Sequence, residues 1–385
     1  MATEPVTWER EDHTKAKHDL LRAFFNKWVS IHSEHFAKRR GGLVRIYDGF
    51  AGPGVYSGGE PGSPLILLRA LCEHPRLRER WQAVRYELLH FVEKHPSRAA
   101  MLEGKLEGLE VELRERQEWS DGVQWSVTCG RYEENGPRAV SGTSALFLFL
   151  DPFGYSHAPM SLTQDLIQQP KSDTLIFLPL SFVNRFAGRE GQEKALDRFF
   201  GSPAWRQVPD GPGRPDALLT LFQEQLRSAG LDWVLPFRLK AEEGGNVYWI
   251  VGGSGHLAGF ASIKEGFWAV DPVNGQGFAA PRPAPAGQEA FAFEEPPPPG
   301  PNTEPLLEGL REKFGRRDFT VDEAIEFTKR SRFLDTHLKD RTLAPAEQAG
   351  HLEVNRPTGA RRFKEGKGIT MRFTPLSEEE TNIRS

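Results

Sequence analysis

The stretch Leu43-Val44-Arg45-Ile46-Tyr47-Asp48-Gly49-Phe50-Ala51-Gly52-Pro53-Gly54-Val55-Tyr56 decides the fold. A short β-branched run leads into an acid and then into two glycines that bracket a proline. A strand feeding a glycine turn lets a ligand approach the backbone without meeting a Cβ, and a carboxylate at the strand's carboxyl end suits a ligand's amine or hydroxyls. Asp48, Gly52 and Gly54 carry that signal. The same residues also suit a plain strand-turn with no ligand, and residues further along the chain separate the two readings.

Past the turn, Gly58-Gly59-Glu60-Pro61-Gly62 leads to Ser63-Pro64, where Ser can cap a helix and Pro suits its first turn; the helix runs on to Cys72. A nicotinamide-binding turn wants G-x-G-x-x-G with the helix opening inside the motif. Here Ser57 stands at the third glycine's place and the helix starts at 63, which argues against an oxidoreductase. Upstream, apolar residues at 20, 21, 24, 25, 28, 29 and 31 predict a helix over Asp19 to Phe36. In front of it His13, Lys15, Lys17 and His18 form a cationic patch, suited to a ligand's carboxylate or phosphate and equally to a solvated helix start.

Downstream, strands and helices alternate. Leu88 to Val92 reads as a strand ending at Glu93, Arg98 to Leu109 as a helix, and Trp125 to Cys129 as a third strand. Cys129 reads as a small buried hydrophobe, because nothing nearby is arranged to lower a thiol pKa. Ser144 to Leu150 is a continuous apolar run, expected of a central parallel strand covered on both faces, and it ends in Asp151-Pro152-Phe153-Gly154. An acid at a second strand end strengthens the first; it also suits an Asp-Pro turn that simply closes a buried strand. Leu175 to Leu180, Asn246 to Val251 and Phe267 to Val270 read as further strands, with helices near Gln192 to Phe200 and Pro215 to Ala229. The pattern from 43 to 270 predicts an α/β sheet sandwiched by helices.

With 385 residues the chain has room for two or three domains and a sizeable core. Charged residues make up 26% and the net charge is −4, which excludes a histone-like or polybasic protein. Two cysteines, Cys72 and Cys129, are too few and too far apart for a zinc site or a disulfide framework. No metal is expected, and a reducing cytoplasm is the default. No apolar run reaches the ~18 residues of a membrane span, and Met1 to Lys17 is too polar for a signal peptide, so a soluble protein with no membrane partner is expected.

From 279 to 305 there are nine prolines, four of them consecutive at Pro296 to Pro299. No helix or sheet interior tolerates that density, so the stretch predicts an extended linker between domains at 1–278 and 306–377. Beyond it Leu306 to Phe314 is helical, Thr320-Val321-Asp322-Glu323 has capping-box spacing, and Ser331 to Gln348 predicts a third helix. Strands at His351 to Asn355 and Ile369 to Phe373 complete the pattern of a winged helix. Between Arg311 and Arg372, 15 Lys plus Arg stand against 10 Asp plus Glu. Arg361, Arg362, Lys364 and Lys367 fall between the last two strands, where cations meet phosphates; a protein-docking winged helix is the alternative.

Together, His13 to Trp28 with Lys17-His18, Tyr47 to Tyr56, Gly62-Ser63-Pro64, Phe91-Val92-Glu93, Leu150 to Gly154, Asn184-Arg185 and the basic tail resemble the three-Cys-motif partner protein (TcmP) family. The resemblance covers most of the chain. It implies a Rossmann-like class I methyltransferase sheet, S-adenosylmethionine as cofactor, and a radical-SAM-like protein with three cysteines as a partner. In the D-x-F-x-G-x-G motif, Asp48, Phe50, Gly52 and Gly54 would hold the cofactor. By the same resemblance Glu93 would accept from the ribose hydroxyls, and Cys129, at the end of the third strand, would flank the adenine. Asp151 and Phe153 would face the target amine and its ring, with Lys17, Asn184 and Arg185 on the substrate side. Asp-Pro-Phe-Gly is the usual form in this family, whereas amino-group methyltransferases carry Pro-Pro-aromatic after the acid.

The expected activity is therefore methyl transfer to nucleic acid, positioning a nitrogen lone pair against a sulfonium methyl. Cytosine-C5 chemistry needs a cysteine nucleophile, and the sequence argues against it, since neither Cys72 nor Cys129 follows a proline in a loop. The alternative is a non-catalytic module that binds cofactor and nucleic acid for a partner enzyme.

Overall fold

The computed structural model describes residues 5–38, 42–74, 85–119, 122–135, 145–152, 154–168, 171–187, 189–240, 247–279, 300–357 and 362–375. It divides into two compact units, Met1–Val270 with Gln276–Phe291, and Asp271–Gly275 with Ala292–Ser385.

In the first unit α1 (Asp12–Lys38) precedes β1 (Leu43–Asp48), and α2 (Ser63–Cys72) precedes β2 (Arg85–Glu93). The helix Pro96–Glu115 leads to β3 (Val123–Cys129), and β4 (Ala145–Leu150) and β5 (Ser172–Leu178) come after it. β6 (Trp233–Lys240), β7 (Val247–Ser254) and the short β8 (Gly277–Ala279) complete one sheet of order β3-β2-β1-β4-β5-β7-β6-β8. β1 to β5 pair in parallel, and β7 runs antiparallel to both β5 and β6. This is an α/β fold with a large, mostly parallel sheet. Every residue of β4 is buried, as its unbroken apolar run requires, and two apolar clusters, one built around α1 and α2, bury the large side chains.

Strand order reverses between β1 and β4, and ligands bind in such open sheets at the crevice outside the carboxyl ends where order reverses. The register sets three acids around that crevice. Asp48 pairs with Phe91 and Phe149, so Glu93 and Asp151 each lie two residues past its level.

Three expectations differ from the structure. Phe267 to Val270 is the last turn of a helix, Leu257–Val270, whose buried Phe260, Ile263 and Phe267 recur at helical spacing. Trp233–Lys240 is a strand that the sequence does not announce, because Pro236 lies inside it. β8 pairs only with Arg238 to Lys240, so at Pro236 the strand is a sheet edge, where proline is tolerated. The first helix begins at Asp12 rather than Asp19.

In the second unit the helices Glu304–Phe314 and Val321–Arg330 pack with a three-stranded antiparallel sheet of order β10-β11-β9. Its strands are β9 (Phe319–Thr320), β10 (Leu352–Asn355) and β11 (Thr370–Phe373), one more than the two that the sequence predicts. The capping box at Thr320 and Glu323 is formed as its spacing requires. The third helix does not run from Ser331: the chain bends through Ser331 to Phe333, and Asp335–Gln348 contains a π-turn at Lys339–Leu343. Pro345 has no N–H to offer the Arg341 carbonyl four residues back, and the Thr303 hydroxyl donates to that carbonyl at 2.8 Å. The proline-rich stretch lies outside the described residues from 280 to 299.

Candidate functional site

The turn after β1 is held from below by two buried carboxylates. Asp48 is completely buried; Oδ1 accepts from Phe50 N–H at 3.1 Å and Oδ2 from the Ser63 hydroxyl at 2.6 Å. Ser63 is thus the first residue of α2, with Gly62 at the N-cap, and its hydroxyl serves Asp48 instead of capping the helix. Burial pushes the Asp48 carboxyl up to about 7, against the hydrogen bonds from Ser63 and Phe50. Glu93, also buried, accepts from Gly52 N–H at 3.0 Å and from His95 N–H at 2.8 Å.

Gly52 and Gly54 both have left-handed backbone, φ +64° and +80°. Their open sides differ. A Cβ at Gly52 would meet only the Trp8 ring, at 3.9 Å, whereas one at Gly54 would run into Leu102 and Leu65 at 2.8 and 2.9 Å. Gly54 is therefore constrained by the core beneath the turn as well as by its conformation.

Over the turn lies a cavity of about 320 Å³, lined by Phe50, Gly52, Gly54, Tyr56, Lys17, His18, Asp151, Phe177 and Tyr248 among others. A smaller one of about 60 Å³ adjoins Glu93, with Arg98, Gly130, Arg131 and Tyr132, and Phe50 lines both. Asp48 lines neither of the two; it stands under the turn. Lys17 ion-pairs with Asp151 Oδ2, and its Nζ lies 4.8 Å from the centre of the Phe177 ring. His18 is 3% exposed, its Nε2 is 3.4 Å from the Tyr56 hydroxyl, and burial, helped by Lys17, Arg10 and Arg22, holds its pKa well below the usual histidine value. Lys17 and His18 are thus buried members of α1 and no solvated helix start. His13 stacks on Tyr248 at 5.1 Å, and Tyr248 on Phe177 at 5.2 Å.

Other candidates fall elsewhere. Cys129 is exposed rather than buried; it pairs in register with Glu93, and the cavity takes its neighbours Gly130 and Arg131 instead. Asn184 and Arg185 lie on the helix Leu180–Phe186 and line neither cavity. Phe153 and Arg361 lie outside the described residues. Arg362, Lys364 and Lys367 are exposed between β10 and β11, where Gly366 N–H donates to the Asp322 carboxylate at 3.1 Å; among the described residues those three cations make no ion pair. Trp8, Tyr56, Ser63 and Arg98 line the cavities without a sequence signal for that role, since nothing periodic marks residues 5–11 or a lone serine.

No protein-family model matches the sequence, and no curated protein matches it. Among solved structures the chain is similar to a precorrin-6y C5,15-methyltransferase from Geobacter metallireducens GS-15, at 10% identity and TM-score 0.26 over 58% of this chain and 86% of that one. It is similar also to the O-methyltransferase TomG from Streptomyces achromogenes, involved in tomaymycin synthesis and solved in complex with SAM, at 15% identity and TM-score 0.29 over 64% and 90%. Among the described residues no helix is long and apolar enough to cross a membrane.

The buried Asp48 makes stability pH-dependent. Its folded pKa, about 7, lies above the ordinary 3.8, so the folded state binds the extra proton and this group's contribution falls as pH rises from about 4 through 7. Asp48→Asn should remove that decline, on the order of a few kcal/mol, from urea-denaturation curves recorded across the interval. For the glycines, Gly54→Ala should lower the denaturation midpoint more than Gly52→Ala. Both meet left-handed strain of about 1 kcal/mol, but only Gly54→Ala also displaces core leucines, adding about 1–3 kcal/mol.

Proposed function

We propose that this chain is an S-adenosylmethionine-dependent methyltransferase acting on nucleic acid, a member of the three-Cys-motif partner family with a C-terminal winged helix. The observation that carries the reading is the meeting, at the carboxyl ends of neighbouring strands, of a left-handed glycine turn with the acids that end β1 and β2 and the acid just past β4. The residues fit an adenosyl cofactor. The open side of Gly52 leaves room that a Cβ would fill, and the cavity over the turn and the smaller one beside Glu93 share Phe50 as a lining residue. An ionised carboxylate has about four acceptor sites, so Glu93 keeps capacity for ribose hydroxyls after taking Gly52 and His95. Gly52, Gly54 and Phe50 would form the cradle, and Asp48 would act through the turn, bracing it without touching the ligand. Bound there, the cofactor supplies an electrophilic methyl.

Asp151 is the residue on this chain suited to orient an acceptor amine. Its Oδ2 is taken by Lys17, while Oδ1 has no hydrogen bond among the described residues. Lys17 would hold the carboxylate in place and would not itself contact substrate. The same ion pair favours a second reading, a non-catalytic module binding cofactor and nucleic acid for a radical-SAM-like partner, since a carboxylate already engaged by an ammonium has less to offer an amine. The exposed cations Arg362, Lys364 and Lys367 support nucleic acid as the macromolecule in both readings.

Methyl transfer from labelled cofactor separates them. Asp151→Ala alone would strand the buried Lys17 ammonium and destabilise the fold by a few kcal/mol. The informative variant is therefore Lys17→Met with Asp151→Leu, which removes the acceptor without stranding the ammonium and should bind cofactor in calorimetry yet transfer no methyl. If wild type transfers nothing to DNA or RNA, with or without a partner, but binds both ligands, the module is the better account.

For the tail, each of Arg362→Ala, Lys364→Ala and Lys367→Ala should reduce the slope of log affinity against log salt by roughly one. Salt-independent binding, or none, would favour a protein-docking role.

A further inference from the structure

Residues 5–11 have neither helix nor strand and cross the glycine turn as a strap. The strap is fastened on both sides of the turn. On one side the Pro5 carbonyl accepts from Arg98 Nη2 at 2.9 Å, and the Arg98 guanidinium lies 4.9 Å from the centre of the Trp8 ring. On the other, the Trp8 carbonyl accepts from Ser57 N–H at 3.0 Å, and Arg10 Nε is 3.8 Å from Glu60. Trp8 stands edge-on to Tyr56, and its Cη2 is 3.9 Å from where a Gly52 Cβ would be. Trp8 lines the larger cavity, Arg98 the smaller one, and Phe50 both. A ligand in the larger cavity therefore meets the indole, whose other neighbour, Arg98, lines the smaller one.

We propose that Trp8 is a ligand-contacting residue, carried on a strap that closes over an adenosyl ligand and is positioned by Arg98. This rests on the cofactor reading of the same site. An indole against the ligand removes apolar surface from water, and the strap's polar fastenings at a partly exposed surface are of the kind that open locally.

The test uses the full chain and S-adenosylhomocysteine as probe, with calorimetry and hydrogen exchange on wild type, Trp8→Ala, Trp8→Phe and Arg98→Ala. In wild type the ligand should slow exchange across residues 5–11 and at the Ser57 amide. Trp8→Ala should weaken binding about tenfold, and Trp8→Phe should restore most of it. Arg98→Ala should speed exchange of the same segment before ligand is added, and weaken binding as well. Equal affinity in wild type and Trp8→Ala, with no ligand effect on exchange at 5–11, would overturn the inference and leave the cofactor reading standing. Absence of binding to wild type would overturn the cofactor reading, and the inference with it. Should Trp8→Ala fail to fold, unchanged affinity and unchanged exchange in both Trp8→Phe and Arg98→Ala would overturn it equally.

Discussion

The hydrogen bond from Gly52 N–H to Glu93 joins the turn after β1 to the end of β2, and the surrounding site depends on it. A left-handed glycine has its N–H aimed away from ordinary strand partners, and a buried donor left without an acceptor costs about 1–3 kcal/mol. Glu93 meets that need from the neighbouring strand, Ala51 N–H adds a bond to the Val92 carbonyl, and Asp48 secures the other side of the turn through Phe50 and Ser63. The turn is thus fixed before any ligand arrives. Preorganisation of this kind lowers the ordering cost of binding.

The long first helix is tied to the sheet near both of the sheet's ends. Lys17 reaches Asp151 just past the carboxyl end of β4, and Trp28 Nε1 donates to Asp173, near the amino end of β5, at 2.6 Å. Eleven residues of helix rise about 16 Å, comparable to the length of a five-residue strand. The two polar ties thereby set how far α1 slides along the sheet, while Phe24, Phe25 and Trp28 pack on Phe147 and set how closely it lies. Because the same helix supplies Lys17 and His18 to the cavity wall, its register fixes the wall's chemistry.

Much of this is legible in the sequence where the signal is local. The strand-acid-glycine run at 43–54, the apolar run at 145–150 and the capping box at 320–323 each state their conformation in consecutive residues. What cannot be read depends on contacts between distant segments. Lys17 looks like part of a solvated patch because its partner, Asp151, is 134 residues away. Ser63 looks like a cap because nothing in its neighbourhood announces a bond back to Asp48. The strand at 233–240 is hidden by Pro236, which is acceptable only because β8 stops short of it. Phe267 to Val270 is ambiguous for a different reason: four apolar residues are too few to distinguish strand spacing from the end of a buried helix.

That short β8 has a consequence for how copies of the chain meet. An open sheet exposes unpaired N–H and C=O groups along its outer strands, and such a row is a template for a neighbouring molecule's strand. On the β6 side, β8 covers Arg238 to Lys240, and beside the covered stretch Pro236 offers no N–H at all. An incoming strand would find a ladder interrupted after a few residues. Beyond Pro236 the Val234 carbonyl is already taken by Arg227 Nη2, from the helix Arg214–Ser228, at 3.4 Å, so this side of the sheet offers a second molecule little continuous ladder.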